Sequence, residues 1–470
     1  MFKSLPFALL AFLLAFCNHE KKSTTAVVAA NPNAHPDWTK FCASCHGPDA
    51  ETFNRREWKY GTSRLDIGRA IRDGYPDSGM PAFGPALGEA KVLELADYIV
   101  KTREQQRDKG AVIDGPKPQT FKSEGKTYRL DTIAAGLDSP WGMAFLPTGD
   151  LIFTEKTGSI WRIDPAGKKT QINGAPKVMS GGQGGLLDIE LHPSFAQNQI
   201  IYFTYSKLKE GEGATQSATA VLRARLEGNN LVDARDIFVA EPYVGTQHHF
   251  GSRMEFGRDG YLYVTVGERG RQDEFPQVLD KAHGKVHRIT ENGDIPADNP
   301  FYNKPGALRS IWSYGHRNPQ GLAFDPASGI LWEHEHGPRG GDELNRIQPG
   351  KNYGWPVVSY GTHYDGRAFT DKTTMDGIEP PVTYWVPSIA PCGMAFITGD
   401  RYPTWKGNLL AGSLRFRYLN RCVIKDNQVV KQENLLDDVG RVRCITMSND
   451  GYIYFSVENP GFIFRIVPVK

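Results

Sequence analysis

Two different spacings of apolar and polar positions divide the chain. Around residue 92, apolar side chains recur once per helical turn. Val92, Leu95, Ala96, Ile99 and Val100 form one face of a helix. From about residue 125 the period shortens. Runs of alternating β-branched and aromatic residues follow turn signals six times. They are FLPTGDLIFTEKTGSIWRID from Phe145, LHPSFAQNQIIYFTYS from Leu191 and FGRDGYLYVTVGERG from Phe256. The others are FDPASGILWEHEHG from Phe324, ITGDRYPTWKGNLLAGSL from Ile397 and MSNDGYIYFSVENPGFIFRIV from Met447. Each unit carries a turn and an apolar strand. Most add a second strand ending in an arginine-containing run, such as Trp161-Arg162-Ile163 or Phe464-Arg465-Ile466. Six repeats of this kind predict a six-bladed β-propeller, with a pair of sandwiches as the weaker alternative. The units are longer than the roughly 40–45 residues of a minimal four-stranded repeat, so the surplus must form loops on the faces.

The start of the chain has another character. Lys3 precedes an unbroken apolar run from Phe7 to Phe16. A bilayer-spanning helix needs about 20 apolar residues, so the run is too short to cross and suits a secretory signal over residues 1–17. It stops at Cys17, in a context that resembles a bacterial lipoprotein cleavage site, although Phe16 stands where a small residue is usual. An ordinary signal peptide, cut near Ala29 or Ala30, is the alternative. The expected organisation is then a tether over 18–34, a small all-α domain over 35–105, a Gly/Pro-bearing linker over 106–124, and the all-β propeller over 125–470. The expected location is the periplasm, free or held on the membrane through a lipid on Cys17.

Composition narrows the possibilities. With 470 residues, one ordinary domain is excluded. Lys plus Arg total 55 against 53 for Asp plus Glu, which gives no reason to expect a nucleic-acid partner. Fifty glycines and 31 prolines imply many tight turns and exclude an all-helical bundle.

The small domain carries Cys42-Ala43-Ser44-Cys45-His46, the attachment motif of a c-type haem. Two thiols three residues apart can add to the two vinyl groups, and the adjacent imidazole of His46 then falls beneath the iron. A zinc ribbon would need a second cysteine pair, which this domain lacks. Met80, in Gly79-Met80-Pro81-Ala82-Phe83-Gly84, is the only methionine between the initiator and Met143. It is the expected second iron ligand, with His35 as the rival and core packing as the bland role. Along nearly its whole length this domain resembles the cytochrome c family.

The propeller loops are rich in histidine, arginine, asparagine and glutamine. Loops at equivalent strand ends of a propeller converge on one mouth, where a pocket is expected. Such side chains could abstract a proton and hold an anion. HHFGSR, GHRNPQGL, EHGPRGGDELN and NYGWP resemble the soluble pyrroloquinoline quinone (PQQ) dependent aldose dehydrogenase family over residues 127–469. That resemblance implies a six-bladed propeller that oxidises the anomeric hydroxyl of aldoses. It implies His249 as catalytic base, with Arg253 four residues on, and Arg317 and Asn318 in contact with the quinone. Gly337 and Pro338 would hold calcium through their carbonyls, and Gln183, Asp342, Arg415 and Arg417 would complete the cofactor pocket. His248 stands where the glucose enzymes have an aspartate, and their quinone-contacting lysine has no clear counterpart.

The combined expectation is an exported oxidoreductase with haem c, PQQ and Ca2+, passing electrons from an aldose through its own haem to an external cytochrome or oxidase. Two rivals remain at this point: a calcium-dependent, lactonase-like propeller hydrolase, and a non-catalytic binding propeller that docks a cytochrome. His192, His283 and His287 are expected to be packed or surface residues, His316 to brace a loop, and Trp161 and Trp312 to lie in the core. Cys422 and Cys444 are read either as a disulfide or as buried free thiols.

Overall fold

The fold is that of a computed structural model, which describes residues 35–46, 50, 61–76, 80–107, 120–211, 215–364, 367–458 and 461–469, without the side chains of 44, 45 and 105–107. The signal and tether, Cys17, the thiol of Cys45 and most of the linker therefore lie outside the described residues.

The first domain is helical. A π-helical turn, Trp38–Cys42, runs into α1 (Ala43–His46), followed by α2 (Arg64–Asp73) and α3 (Gly84–Arg107). Ser63 caps α2 in a reciprocal box: its hydroxyl accepts from the Asp66 N–H, and the Asp66 carboxylate accepts from the Ser63 N–H. Val92, Leu95, Ala96 and Ile99 are all buried against Trp38, Phe41, Ile67 and Ile71, as their spacing predicts.

The propeller has six antiparallel sheets. Their innermost strands, Pro140–Phe145, Leu186–Leu191, Gly251–Phe256, Pro319–Phe324, Pro391–Phe396 and Arg441–Met447, touch each other in sequence round the ring. Each repeat read from the sequence thus begins at the end of an innermost strand. Chain-end pairing closes the ring. Lys126–Leu137 lies antiparallel to Gly461–Val469, with Leu130 opposite Ile466, and Thr120–Ser123 adds an outer fifth strand. Helix α3 and this outer strand both reach into the stretch expected to be linker, because Thr120, Phe121 and Lys122 pair with Arg129, Tyr128 and Thr127.

Aromatic stacking reinforces the closure. The Trp405 ring, fully buried, lies 4.3 Å from Tyr128, and its indole N–H donates to the Ser123 hydroxyl at 3.1 Å. A residue of the fifth blade is thereby fixed to the closing strands of the sixth. Cys422 and Cys444 are free, buried and in different blades, so the disulfide reading is set aside. Burial pushes their thiols up to about 12 and about 11. Trp161 and Trp312 are half-buried rather than core, with Lys169 and Arg288 over their rings. Among the described residues no helix is long and apolar enough to cross a membrane.

Truncation of a large buried aromatic costs about 3–5 kcal/mol. Trp405→Ala should therefore lower the urea midpoint of the propeller transition strongly. Val430→Ala, at a position 58% exposed, should leave it nearly unchanged.

Candidate active site

One cavity of about 650 Å³ lies at the propeller mouth and is lined by both domains. A concavity of similar volume between the third and fourth blades gathers no histidine. Its Asp259 is already engaged by Arg288 and Tyr263.

His249 enters the mouth from the segment that leads into the third blade. Its backbone is left-handed, with φ of 54°, a conformation that survives only where surrounding contacts enforce it. Those contacts are specific. The His249 N–H donates to Gln183 Oε1 at 2.8 Å, and His249 Nδ1 pairs with Glu268 Oε1. Gly267 makes room: a Cβ there would fall 2.2 Å from the His249 carbonyl oxygen. Arg269, buried over the Phe250 ring, donates to the His248 carbonyl and clamps the segment from below. Burial, then the positive charges of Arg317 and Arg269, hold His249 well below the usual 6.5. The imidazole is therefore neutral. In the tautomer that donates Nδ1–H to Glu268, the other ring nitrogen carries a free lone pair.

Arg317 and Asn318 are set by a buried carboxylate. Glu335 Oε2 accepts from both backbone N–H groups, and the imidazole of His316 lies 3.5 Å from Glu335 Oε1. Arg317 Nη1 donates to the carbonyls of His336 and Gly337 at 3.1 and 2.7 Å, and its guanidinium lies 5.1 Å from the Trp355 ring centre. Arg317 Nε and Asn318 Nδ2 are buried and have no partner among the described residues. Arg317 lines the cavity and Asn318 does not, so it is the unspent Arg317 donor that calls for an acceptor-rich ligand there.

The structure redistributes other expected site residues. Gln183, Gly337 and Pro338 line the cavity. Asp342 does not: its carboxylate accepts from the Gly337 N–H at 2.9 Å, the Ser388 hydroxyl at 2.7 Å and the Ala390 N–H at 2.8 Å. It braces the loop from beneath, and burial pushes it up to about 6. Arg415 donates to the Ser388 carbonyl, and Arg417 pairs with exposed Asp438 at 2.8 Å, so neither lines the cavity. Arg253 is buried below the mouth, in an ion pair with Asp188 and over the Trp141 ring.

The cations that do line the cavity are Lys156, Arg441 and Arg443, alongside Arg317. Lys156 Nζ donates to the Gly182 carbonyl. Arg441 and Arg443 both pair with Glu458, whose carboxyl they hold far below its usual value despite burial. These residues and Glu268 escaped the sequence reading because they stand in RVRC, TEKTG and VGERG, which read as strand and turn.

The first domain contributes Phe41, Cys42, His46, Met80, Pro81 and Phe83 to the same cavity. Tyr75 and Met80 exchange backbone hydrogen bonds at 2.8 and 3.1 Å, which fixes the Met80 loop on the end of α2. Gly74, at φ 66°, allows that approach. His35 does not line the cavity. Its ring lies 3.3 Å from Glu94 and against Tyr98.

Residues 137–465 match the glucose/sorbosone dehydrogenase family. The chain belongs to that family. It is thus a sugar dehydrogenase, and residues 30–99 match the cytochrome family of cbb3-type oxidase subunit III, which gives it a cytochrome c domain. The aldose sugar dehydrogenase of Escherichia coli is 38% identical over 73% of this chain and 93% of its own. The crystal structure of that soluble protein in the apo form superposes with a TM-score of 0.70, at 37% identity, over 73% of this chain and all of the other. The PQQ-bound aldose sugar dehydrogenase of Streptomyces coelicolor gives 0.61 at 28% identity, over 75% of this chain and 100% of its own.

A base held well below 6.5 stays unprotonated as the solution is acidified through that value. Dye-linked kcat/KM should therefore be level across pH 6.5 and fall only well below it. An activity loss with an apparent pKa at or above 6.5 would remove His249 from the role of base.

Proposed function

We propose that the protein is an exported quinoprotein that oxidises aldoses at the anomeric hydroxyl with PQQ and relays the electrons to its own c-type haem. The observation that carries this reading is the single cavity lined by Cys42, His46 and Met80 on one side and by Gln183, His249 and Arg317 on the other.

The residues present fit the groups involved. PQQ is a tricarboxylate, and the cavity offers it an unpaired donor on Arg317 with Lys156, Arg441 and Arg443 at its walls. Among the described residues Glu458 is the single carboxylate in the lining, and it is already paired twice. That set favours an anionic cofactor over the acidic or amide cluster a lactonase-like hydrolase would need. Gly337 and Pro338 would supply carbonyl oxygens to calcium. The Gly337 carbonyl, which accepts from Arg317, has a second lone pair for the ion. In this reading Asp342 acts through Gly337, and Arg415 acts through Ser388. Arg417 has no cavity contact that would give it a part. Cys42 and Cys45 would attach the haem, with His46 and Met80 as iron ligands.

When bound, PQQ supplies the acceptor for the hydride leaving the anomeric carbon, and the haem supplies a one-electron carrier beyond it. His249 takes the anomeric hydroxyl proton at its free ring nitrogen, while Glu268 holds the ring and stabilises the imidazolium that forms. The Arg317 guanidinium is fixed by the two carbonyls and by Trp355, so it faces the site without reorganising. A soluble cytochrome or an oxidase would be the final acceptor. Residues 1–17 would direct export, and a lipid on Cys17 would hold the protein at a membrane surface.

His249→Gln should lower dye-linked aldose turnover by about 10²–10⁴-fold, the usual worth of a general base. Haem content and PQQ uptake, read from visible spectra and native mass, should be unchanged. Near-normal turnover by this variant would contradict the reading.

A further inference from the structure

We infer that the first domain is the roof of the sugar site, latched to the propeller through Tyr364 and Arg339, and that this roof restricts the enzyme to short sugars. The inference rests on the sugar dehydrogenase reading above for its substrate class, and on the seating of the two domains for its geometry.

The latch lies on an unusually long connection. In the fourth blade, 35 residues (348–382) separate the strand Asp342–Ile347 from Thr383–Trp385, whereas hairpin loops commonly take about 2–5 residues. Loops of such length with no structural need are usually functional. This one is tied to the Gly337–Pro338 loop. Arg339 and Thr362 exchange backbone hydrogen bonds at 3.0 and 3.1 Å, and Arg339 Nη1 reaches the Tyr364 carbonyl at 3.4 Å. Tyr364 then packs against the apolar core of the first domain, the cluster that holds Trp38, Phe41 and Phe83. The Arg339 guanidinium lies 5.8 Å from the Phe41 ring centre. A cation over an aromatic face adds a modest attraction to that apolar contact.

The same connection reaches down to the site. The His363 ring packs on Phe369 at 4.5 Å, Phe369 stacks on Trp355 at 4.6 Å, and Arg317 lies over Trp355. His363, next to Tyr364 in the chain, is thereby connected through two rings to Arg317, which lines the cavity. Phe41, Pro81 and Phe83 of the first domain line the same cavity.

Space decides the consequence. The cavity measures about 650 Å³, within the roughly 300–1,000 Å³ of pockets that enclose one drug-sized ligand. The residues that would hold the quinone and those that would hold the haem share this one cavity, so little of it would be left to a sugar. What is left would admit a short sugar at most. A longer chain has to project through the roof, and it enters only when the first domain lifts.

The test uses the full-length holoprotein loaded with PQQ and calcium. Dye-linked kcat/KM is measured for glucose and for maltopentaose, and small-angle X-ray scattering measures the compactness of each form. Wild type should scatter as one compact body and prefer glucose by about tenfold or more. Tyr364→Asp should expand the particle and reduce that preference at least about threefold. Tyr364→Phe, which keeps the ring, should retain both wild-type values. Separated domains in the wild type, or a Tyr364→Asp variant that stays compact, would overturn the latch whatever the activity. An expanded variant with an unchanged sugar preference would overturn the roof. A holoprotein that takes up PQQ yet oxidises no aldose would sink the dehydrogenase reading instead, a result distinct from these because scattering still reports the seating.

Discussion

Everything at the mouth depends on how the ring is closed. Lys126–Leu137 pairs along Gly461–Val469, so both ends of the propeller sequence meet in one blade. Without that pairing the sixth blade would expose unpaired edges and the ring could open. With it, the strand ends of six blades are fixed relative to one another. Residues as distant in sequence as Lys156, His249, Arg317 and Arg443 then line one cavity. The packing of Trp405 on Tyr128 ties the fifth blade to the closing strands, and the same blade brings Ser388 and Ala390 beneath the Gly337 loop.

Within that frame the site works by uneven burial of charge. Glu335 and Asp342 are spent on backbone N–H groups and fix loops, while Glu458 is spent on Arg441 and Arg443 of the neighbouring strand. Glu268 is spent on His249 alone, and its second oxygen has no partner among the described residues. Burial raises the Glu268 carboxyl, while burial and two guanidiniums lower His249. Glu268 thus faces His249 Nδ1 directly, where its carboxylate would steady a proton gained at the other ring nitrogen. The donor left open on Arg317 belongs to a cavity whose charged lining is mainly cationic. The preference for an anionic cofactor follows from that balance.

The periodic parts of this architecture were legible in the sequence. Alternation and turn residues marked six repeats, and one-turn spacing marked the face of α3. Element limits were less so. The run Thr120–Ser123 reads as polar linker because an outer strand buries little, and only its pairing with residues 126–129 reveals it. At the site, motif strings located the loops but not the reach of each side chain. Asp342 opens a strand and Arg415 and Arg417 stand in a loop, yet local hydrogen bonds and an ion pair turn them to bracing or to the surface. Arg441 and Arg443 look like ordinary strand residues, and a two-residue period places both on one face. Which face meets the cavity is a matter of register with Glu458 and Val457, which no local pattern encodes.

The central claim is that sugar oxidation and haem reduction take place in one cavity lined by the two domains. Stopped-flow mixing of oxidised holoprotein with excess aldose, without mediator, tests it most directly through the haem α-band. The account predicts reduction at a rate that does not change with protein concentration, since each haem is served by its own propeller. It also predicts that Met80→Ala, which lowers the iron potential by removing a thioether, slows or abolishes that reduction while dye-linked oxidation continues. A haem that stays oxidised under excess sugar while the dye assay is fully active would contradict it.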